Sequence, residues 1–322
     1  MASKKLTAGP AYLDYSSRAD RASAGIQKVP VETASGTYAV WTKRVGNNPD
    51  ARMLLLHGGP GGTHEYLEIF DSYLPAAGIE YHYYCQLGSQ FSDQPDDPSL
   101  WTVDRFVDEV EQVRIALGLD HHNFYLYGQS WGGILAIEYA LKYQQHLKAL
   151  IISNMMSTMV GYNEYATNVI KPQIDADVLA EIEAFEAAED FGNPRYHELL
   201  MEHHYVYRVL RMPFAEWPDS IHRAFAHLNT DIYIPMQGPS ELGASGVLAS
   251  WDRSADIHRI NVPTLVLGGE HDTMDPANLR WMAEALPQGR SHICPNGSHM
   301  AMWDDQEDYF NALLDFIAEV EG

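Results

Sequence analysis

The spacing of apolar and polar positions changes several times along the chain. Residues 37–45, "TYAVWTKRV", alternate, and 52–58, "RMLLLHG", form a continuous apolar run of the kind buried on both faces of a parallel sheet. Both read as strands, as does "EYHYYCQLG" at 80–88. Over 103–118 the apolar residues Val103, Phe106, Val107, Val110, Val113, Ile115 and Leu117 recur at helical spacing with carboxylates between them, and Gly118 closes the helix. "NFYLYG" and "KALIIS" are strands on either side of a helix that begins just after Ser130. Strand and helix alternating in this way predict an α/β fold with a mostly parallel, doubly wound sheet. From about Met155 to about Trp251 the pattern becomes helical and polar; it returns to strands at "VPTLVLGGEHD" (262–272). A helix around "PANLRWMAEAL", a short strand "SHICP" and a terminal helix "QEDYFNALLDFIAEV" follow. The expected organisation is a core in two pieces, 1–154 and 251–322, with residues 155–250 inserted as a helical cap over the strand ends, where such sheets bind ligands.

Composition narrows the class of function. The 322 residues are 46% hydrophobic and 20% charged, enough to bury a large core. Lys and Arg total 21 against 44 Asp and Glu, a balance of 21 − 44 = −23 that repels nucleic acid and anionic membranes and favours cationic small molecules. Two cysteines, Cys85 and Cys294, are too few for a disulfide framework and fit a reducing compartment. The first twenty residues include basic side chains but no apolar stretch behind them, and no later run is long enough to span a bilayer. A soluble cytoplasmic protein is expected, with neither membrane nor nucleic-acid partner.

The helix after the fourth predicted strand begins in "GQSWGG". Gly128, Ser130 and Gly132 have the spacing of a nucleophile elbow, in which small residues let strand and helix approach while a serine sits on the strained turn between them. The plainer reading is a glycine-rich turn; the strand before it and the helix after it favour the elbow. A serine hydroxyl needs a base, and the base an orienting acid, in the chain order Ser, acid, His. Asp272 stands just past a buried strand in "GGEHDTMD", and His299 in a loop before the last helix in "PNGSHMAMWDD". Asp275, just before Pro276, is the runner-up acid and fits better as a helix N-cap. For the oxyanion, the N–H of Trp131 follows the nucleophile, and "HGGPGG" (57–62) offers a second donor at Gly59, with Gly58 as the alternative. That loop lacks the lysine and hydroxyl residue of a phosphate-binding loop.

The stretches "LLLHGGPGGTHEY", "QLGSQFSDQP", "GQSWGG", "GGEHDTMDP" and "NGSHMAMWDDQEDYF" together resemble the prolyl aminopeptidase (proline iminopeptidase) family of α/β-hydrolases, which also contains L-amino-acid amidases. The resemblance covers nearly all the chain after residue 30, more loosely in the insertion. It implies an α/β-hydrolase fold, the triad Ser130, Asp272 and His299, the oxyanion donors Gly59 and Trp131, and removal of an N-terminal residue, often proline, from peptides or amides. In this family cap carboxylates hold the substrate's free amine, and Glu241 in "QGPSELG" matches one of them; its plainer reading is an acid in the first turn of a helix. Two positions depart from the family. Some relatives have a second anchoring glutamate where this chain has Thr273, and a carboxylate restored there is expected, if geometry permits, to favour amine-bearing substrates. The family usually has an aspartate where Cys85 stands, a position read here as a small buried hydrophobe.

"HELLMEHH" (197–204) falls short of a zinc motif, because Met201 occupies the place of the second histidine and His197 and His204 lie two turns apart. No metal or cofactor is expected. The reading is a serine aminopeptidase or amidase acting on a small peptide, amino-acid amide or ester through an acyl-enzyme; the alternatives are an esterase or acyltransferase with the same triad, and a non-catalytic ligand-binding member of the fold. Dehalogenase and epoxide hydrolase chemistry is disfavoured, since those relatives carry aspartate at the elbow.

Overall fold

A computed structural model describes residues 6–322. Eight strands form one sheet: β1 (Ile26–Thr33), β2 (Gly36–Val45), β3 (Arg52–Leu56), β4 (Glu80–Cys85), β5 (Phe124–Gln129), β6 (Ala149–Ser153), β7 (Thr264–Gly269) and β8 (Gly289–Cys294). Their order is β1-β2-β4-β3-β5-β6-β7-β8. β1 and β2 are antiparallel to their neighbours, and every pairing from β4 to β8 is parallel. This is the expected α/β-hydrolase sheet.

Strand periodicity decides which face each residue serves. Leu54, Leu56, Phe124, Leu126, Leu150, Ile152 and Val266 enter one core layer, against the helices Val103–Leu117, Trp131–Tyr143 and Pro276–Ala285. Met53, Leu55, Tyr125, Tyr127, Ile151, Leu265 and Leu267 enter the other, against residues 65–77 and the helix Gln306–Val320. Burial on both faces explains the continuous apolar runs in the sequence.

The sequence pattern left β1 unread. Only Val29 and Val31 of "IQKVPVET" are buried, and Pro30 interrupts the run. Proline is tolerated because β1 is an edge strand. The strands expected at 52–58 and 80–88 end earlier, at Leu56 and Cys85, where the chain turns into loops.

Between β6 and β7 the chain runs through the helices Met159–Tyr165, Ala176–Ala187, Pro194–Leu200, Asp219–Ala226 and Thr230–Met236, with π turns at Ala166–Ile170 and Met201–Tyr205. Ile170, Ile182, Tyr196, Leu199, Leu200 and Leu242 form a small core of their own. The segment is tied to the main body where Asn229 N–H donates to Gly61 O at 2.9 Å and where Arg223 meets Glu65 and Glu68 at 2.5 and 2.6 Å. No described helix is long and apolar enough to cross a membrane.

Candidate active site

The chemistry-bearing residues gather beyond the carboxyl ends of the strands. Residues 57–62 follow β3, Ser130 follows β5, Asp272 follows β7 and His299 follows β8. Ser130 lies at φ 56° and ψ −127°, a left-handed position that few non-glycine residues adopt. Its neighbours make the turn sterically feasible. A Cβ on Gly128 would stand 2.0 Å from Gly132 O, and one on Gly132 would stand 2.2 Å from Leu56 O. The result is a serine at the tip of a strand-to-helix turn, its N–H bonded to Ser153 O at 3.0 Å.

Asp272 is fully buried, and its Oδ1 accepts from His299 Nδ1 at 2.8 Å and from Met274 N at 3.0 Å. With Nδ1–H given to the carboxylate, Nε2 is the nitrogen left free to accept a proton. Burial by itself lowers the imidazole's affinity for a proton, but the Asp272 charge outweighs it and the net direction is upward from 6.5. Ser130 and His299 line a common cavity of about 390 Å³. Asp275, by contrast, accepts from Ala277 N at 2.9 Å and caps the helix Pro276–Ala285, as its position before proline suggested.

Gly58, Gly59 and Gly62 form part of the same wall. The Gly58 N–H donates to Tyr66 Oη at 2.6 Å, whereas the Gly59 N–H has no such partner among the described residues. Trp131 begins the helix after the elbow, so its N–H lacks an intrahelical acceptor. His57 holds the loop in place: Nδ1 pairs with Gly58 O at 2.8 Å, and Nε2 accepts from Gln86 N at 3.1 Å. Burial pushes this imidazole down to about 4, so it is neutral. Gln86 then bridges the two segments expected to supply the oxyanion donors, donating to His57 O at 3.1 Å and accepting from Trp131 Nε1 at 2.8 Å.

The comparisons with known proteins agree with this geometry. Residues 51–306 match the alpha/beta hydrolase fold family. The chain is 51% identical over 292 residues to a proline iminopeptidase of Flavobacterium johnsoniae, covering 91% of this chain and 98% of that protein. It is 50% identical over 295 residues to a proline iminopeptidase of Elizabethkingia meningoseptica, with the same coverages. The chain belongs to the proline iminopeptidase family of α/β hydrolases. Among solved structures, the proline iminopeptidase of Mycobacterium smegmatis superimposes with a TM-score of 0.79 at 28% identity, over 92% of this chain and 99% of that one.

Within the family frame, Glu241 is in an irregular segment after the helix Thr230–Met236, so its plainer reading as a first-turn acid does not apply. It lines the cavity with Ser130 and His299. Its Oε1 accepts from Tyr233 Oη at 2.5 Å, and its carbonyl accepts from Tyr162 Oη at 2.8 Å and pairs with His204 Nε2 at 3.0 Å. His204, pushed down to about 4 by burial, is thus a neutral clamp on Glu241. His197 lies apart on the cavity wall.

Thr273 corrects the expectation attached to it. Its side chain is fully buried and is not part of the cavity wall; the hydroxyl lies 3.3 Å from both Asp272 Oδ1 and His299 Nδ1. A glutamate there would place a second carboxylate beside Asp272 rather than beside a substrate amine. Cys85 is buried against His64 Nδ1 at 3.1 Å, and burial pushes its thiol up to about 12, which makes it unreactive.

Besides His57, Gln86 and the partners of Glu241, three more residues of the site escaped the sequence reading. Tyr66 donates to Gln129 Oε1 at 2.7 Å, and Gln129 Nε2 donates to His299 O at 2.9 Å, so the residue before Ser130 joins the glycine loop to His299. Gln129 lay within the quoted motif; Tyr66 had no local signal. The third, Asn154, directly follows β6 and is taken up below.

Proposed function

We propose that this protein is a serine aminopeptidase that removes an N-terminal proline or other small residue from short peptides and amino-acid amides. The observation that carries the reading is one cavity with Ser130 and His299 on its main-body side and the Glu241 carboxylate on the inserted side. Ser130 attacks the carbonyl of the first residue, and His299 Nε2 takes the hydroxyl proton. Asp272 holds the imidazole in the required tautomer, and the N–H groups of Gly59 and Trp131 stabilise the oxyanion. His299 then gives its proton to the leaving amine, and water repeats the attack on the acyl-enzyme. Residues 155–250 act as a cap that limits the acyl pocket, and the substrate ammonium pairs with Glu241. Two buried, unpaired cysteines fit a cytoplasmic location.

An esterase or acyltransferase would share the triad. The relatives at half identity over nearly the whole chain are named proline iminopeptidases, which favours the peptidase. A protonated amine drawn into a cavity needs a carboxylate to replace its hydration, and losing that partner costs about 2–5 kcal/mol when the pair is desolvated. Glu241→Gln is therefore expected to lower kcat/KM for a prolyl or alanyl anilide while sparing the analogue that lacks the amine. An unchanged ratio of the two specificity constants would remove Glu241 as the anchor. Ser130→Ala, folded, should lose turnover by about 10⁴ or more.

A further inference from the structure

The Asp272 carboxylate has two oxygens, and the imidazole uses one. Oδ2 accepts from Asn154 Nδ2 at 2.7 Å. The same amide nitrogen donates to Ser298 O at 3.0 Å, the carbonyl just before His299. A single side chain from the end of β6 therefore touches both the acid and the backbone that carries the base.

Its orientation follows from counting protons. Two acceptors face one end of the amide, so that end is the NH₂ group. The other end, Oδ1, accepts from Ser153 Oγ at 2.7 Å. A hydroxyl has one proton, so Ser153 must receive from Tyr309 Oη, 2.8 Å away, and Tyr309 must receive from Tyr127 Oη, 2.7 Å away. All four residues are buried, and the relay has one direction, from Tyr127 to Asp272. The backbone narrows the choice of residue further. Asn154 has φ 50°, a left-handed position that asparagine tolerates better than most side chains, and its N–H bonds to Leu267 O of β7 at 2.8 Å. The position asks for a residue that accepts positive φ and offers two amide protons in one plane.

We infer that Asn154 is the positioning residue of the acid–base pair: it sets the rotation of the Asp272 carboxylate so that Oδ1 faces His299 Nδ1, and fixes the height of the His299 loop through Ser298. The inference rests on the triad reading above. Without the amide, a buried carboxylate oxygen loses its donor and the carboxylate turns toward the donors left near it, Thr273 Oγ1 and Met274 N. The angle at His299 then changes. The Glu241 side of the cavity is untouched, so the loss falls on kcat and not on KM.

Two variants test this beside Ser130→Ala. Asn154→Gly keeps the backbone and deletes the amide; kcat for a prolyl anilide should fall about tenfold to a hundredfold, the range seen when residues that orient a metal-ligating histidine are removed, with KM within about twofold. The downfield proton NMR signal of His299 Nδ1–H should move or broaden. Asn154→Asp keeps the size and sets an oxygen against Asp272 Oδ2. Protonated, it can still donate; ionised, it faces a like charge. Its kcat, read at saturating substrate, should therefore gain a descending alkaline limb absent from the wild type. The titratable groups around position 154 are Asp272, His299 and Tyr309, and burial raises Tyr309 above the ordinary phenol range, so a new limb reports the introduced carboxyl. Thermal melts at each pH separate this limb from unfolding, and if Asn154→Gly does not fold, Asn154→Asp decides alone. Wild-type turnover in folded Ser130→Ala would remove the triad reading itself. An inactive Ser130→Ala together with an Asn154→Gly of unchanged kcat, or an Asn154→Asp with a wild-type profile, would overturn the role of Asn154.

Discussion

His299 is under two opposed influences, and their balance sets where activity begins on the pH axis. Burial disfavours the imidazolium, the Asp272 charge favours it, and the net shift is upward from 6.5. Only the neutral ring can take the proton of Ser130, so kcat/KM should fall as pH drops through a value above 6.5. For stability the sign reverses: a raised folded pKa contributes stability that is present in full below the unfolded value and lost as pH rises through the folded one. Between the two values, the protein should therefore gain stability as it loses activity on acidification. Asp272→Asn leaves only the weaker pull of Glu241 and Asp304 against burial and should move the acid limb below its wild-type position, along with a loss of about 10⁴ in kcat; an unmoved limb in a pH–rate profile would show that another group sets it. At this scale the sequence singled out Ser130, Asp272 and His299 because each stands in a local pattern of glycines and turn residues after a buried strand. It left Gly58 and Gly59 open, since only the Tyr66 hydroxyl separates them, and Tyr66 reaches Gly58 through the fold rather than through spacing. Asn154 touches Asp272 across 118 positions of chain, a contact that no local pattern encodes.

Among elements, legibility follows burial. Strands buried on both faces and the amphipathic helix Val103–Leu117 were plain in the pattern, whereas β1, half polar and broken by Pro30, was not. The inserted helices read as helical, but their seating on the body joins residues far apart in the chain: Ile232 and Met236 enter one core layer of the sheet, Ile221 and Ala224 the other, and a few polar contacts add to this packing. Arg223, in the helix Asp219–Ala226, reaches Glu65 and Glu68 in the segment after the oxyanion loop, and His227 Nδ1 pairs with Glu65 Oε2 at 2.7 Å. Glu65 is buried, so removing its guanidinium partner leaves an acceptor poorly satisfied. Arg223→Met should loosen this helix from the body by about 1–2 kcal/mol, at the low end for a charge pair because the guanidinium is partly exposed. Hydrogen exchange in residues 219–236 should accelerate while β3, β5 and β6 stay protected, and KM should rise. Unchanged exchange would mean that Asn229 and the apolar contacts hold the helix without the ion pair.

Over the whole molecule, a charge of −23 surrounds the cavity proposed to receive an ammonium group. Such a field raises the encounter rate of positively charged substrates and is screened by salt, with a Debye length of about 10 Å at 0.1 M. The kcat/KM of an amine-bearing anilide should accordingly decline from low to physiological ionic strength, while that of its des-amino analogue stays level; parallel curves would show that the field does not steer. The order of the chain has a further result. The turn at residues 128–132 is synthesised early, yet His299 arrives only after β7 and β8, which join the sheet from beyond the inserted helices. At ribosomal speeds of about 5–20 residues per second, on the order of ten seconds or more separate the synthesis of the nucleophile from that of its base. Throughout that interval a nascent chain carries Ser130 without the histidine proposed to deprotonate it, so on that reading hydrolytic competence is withheld until the sheet has closed over the site.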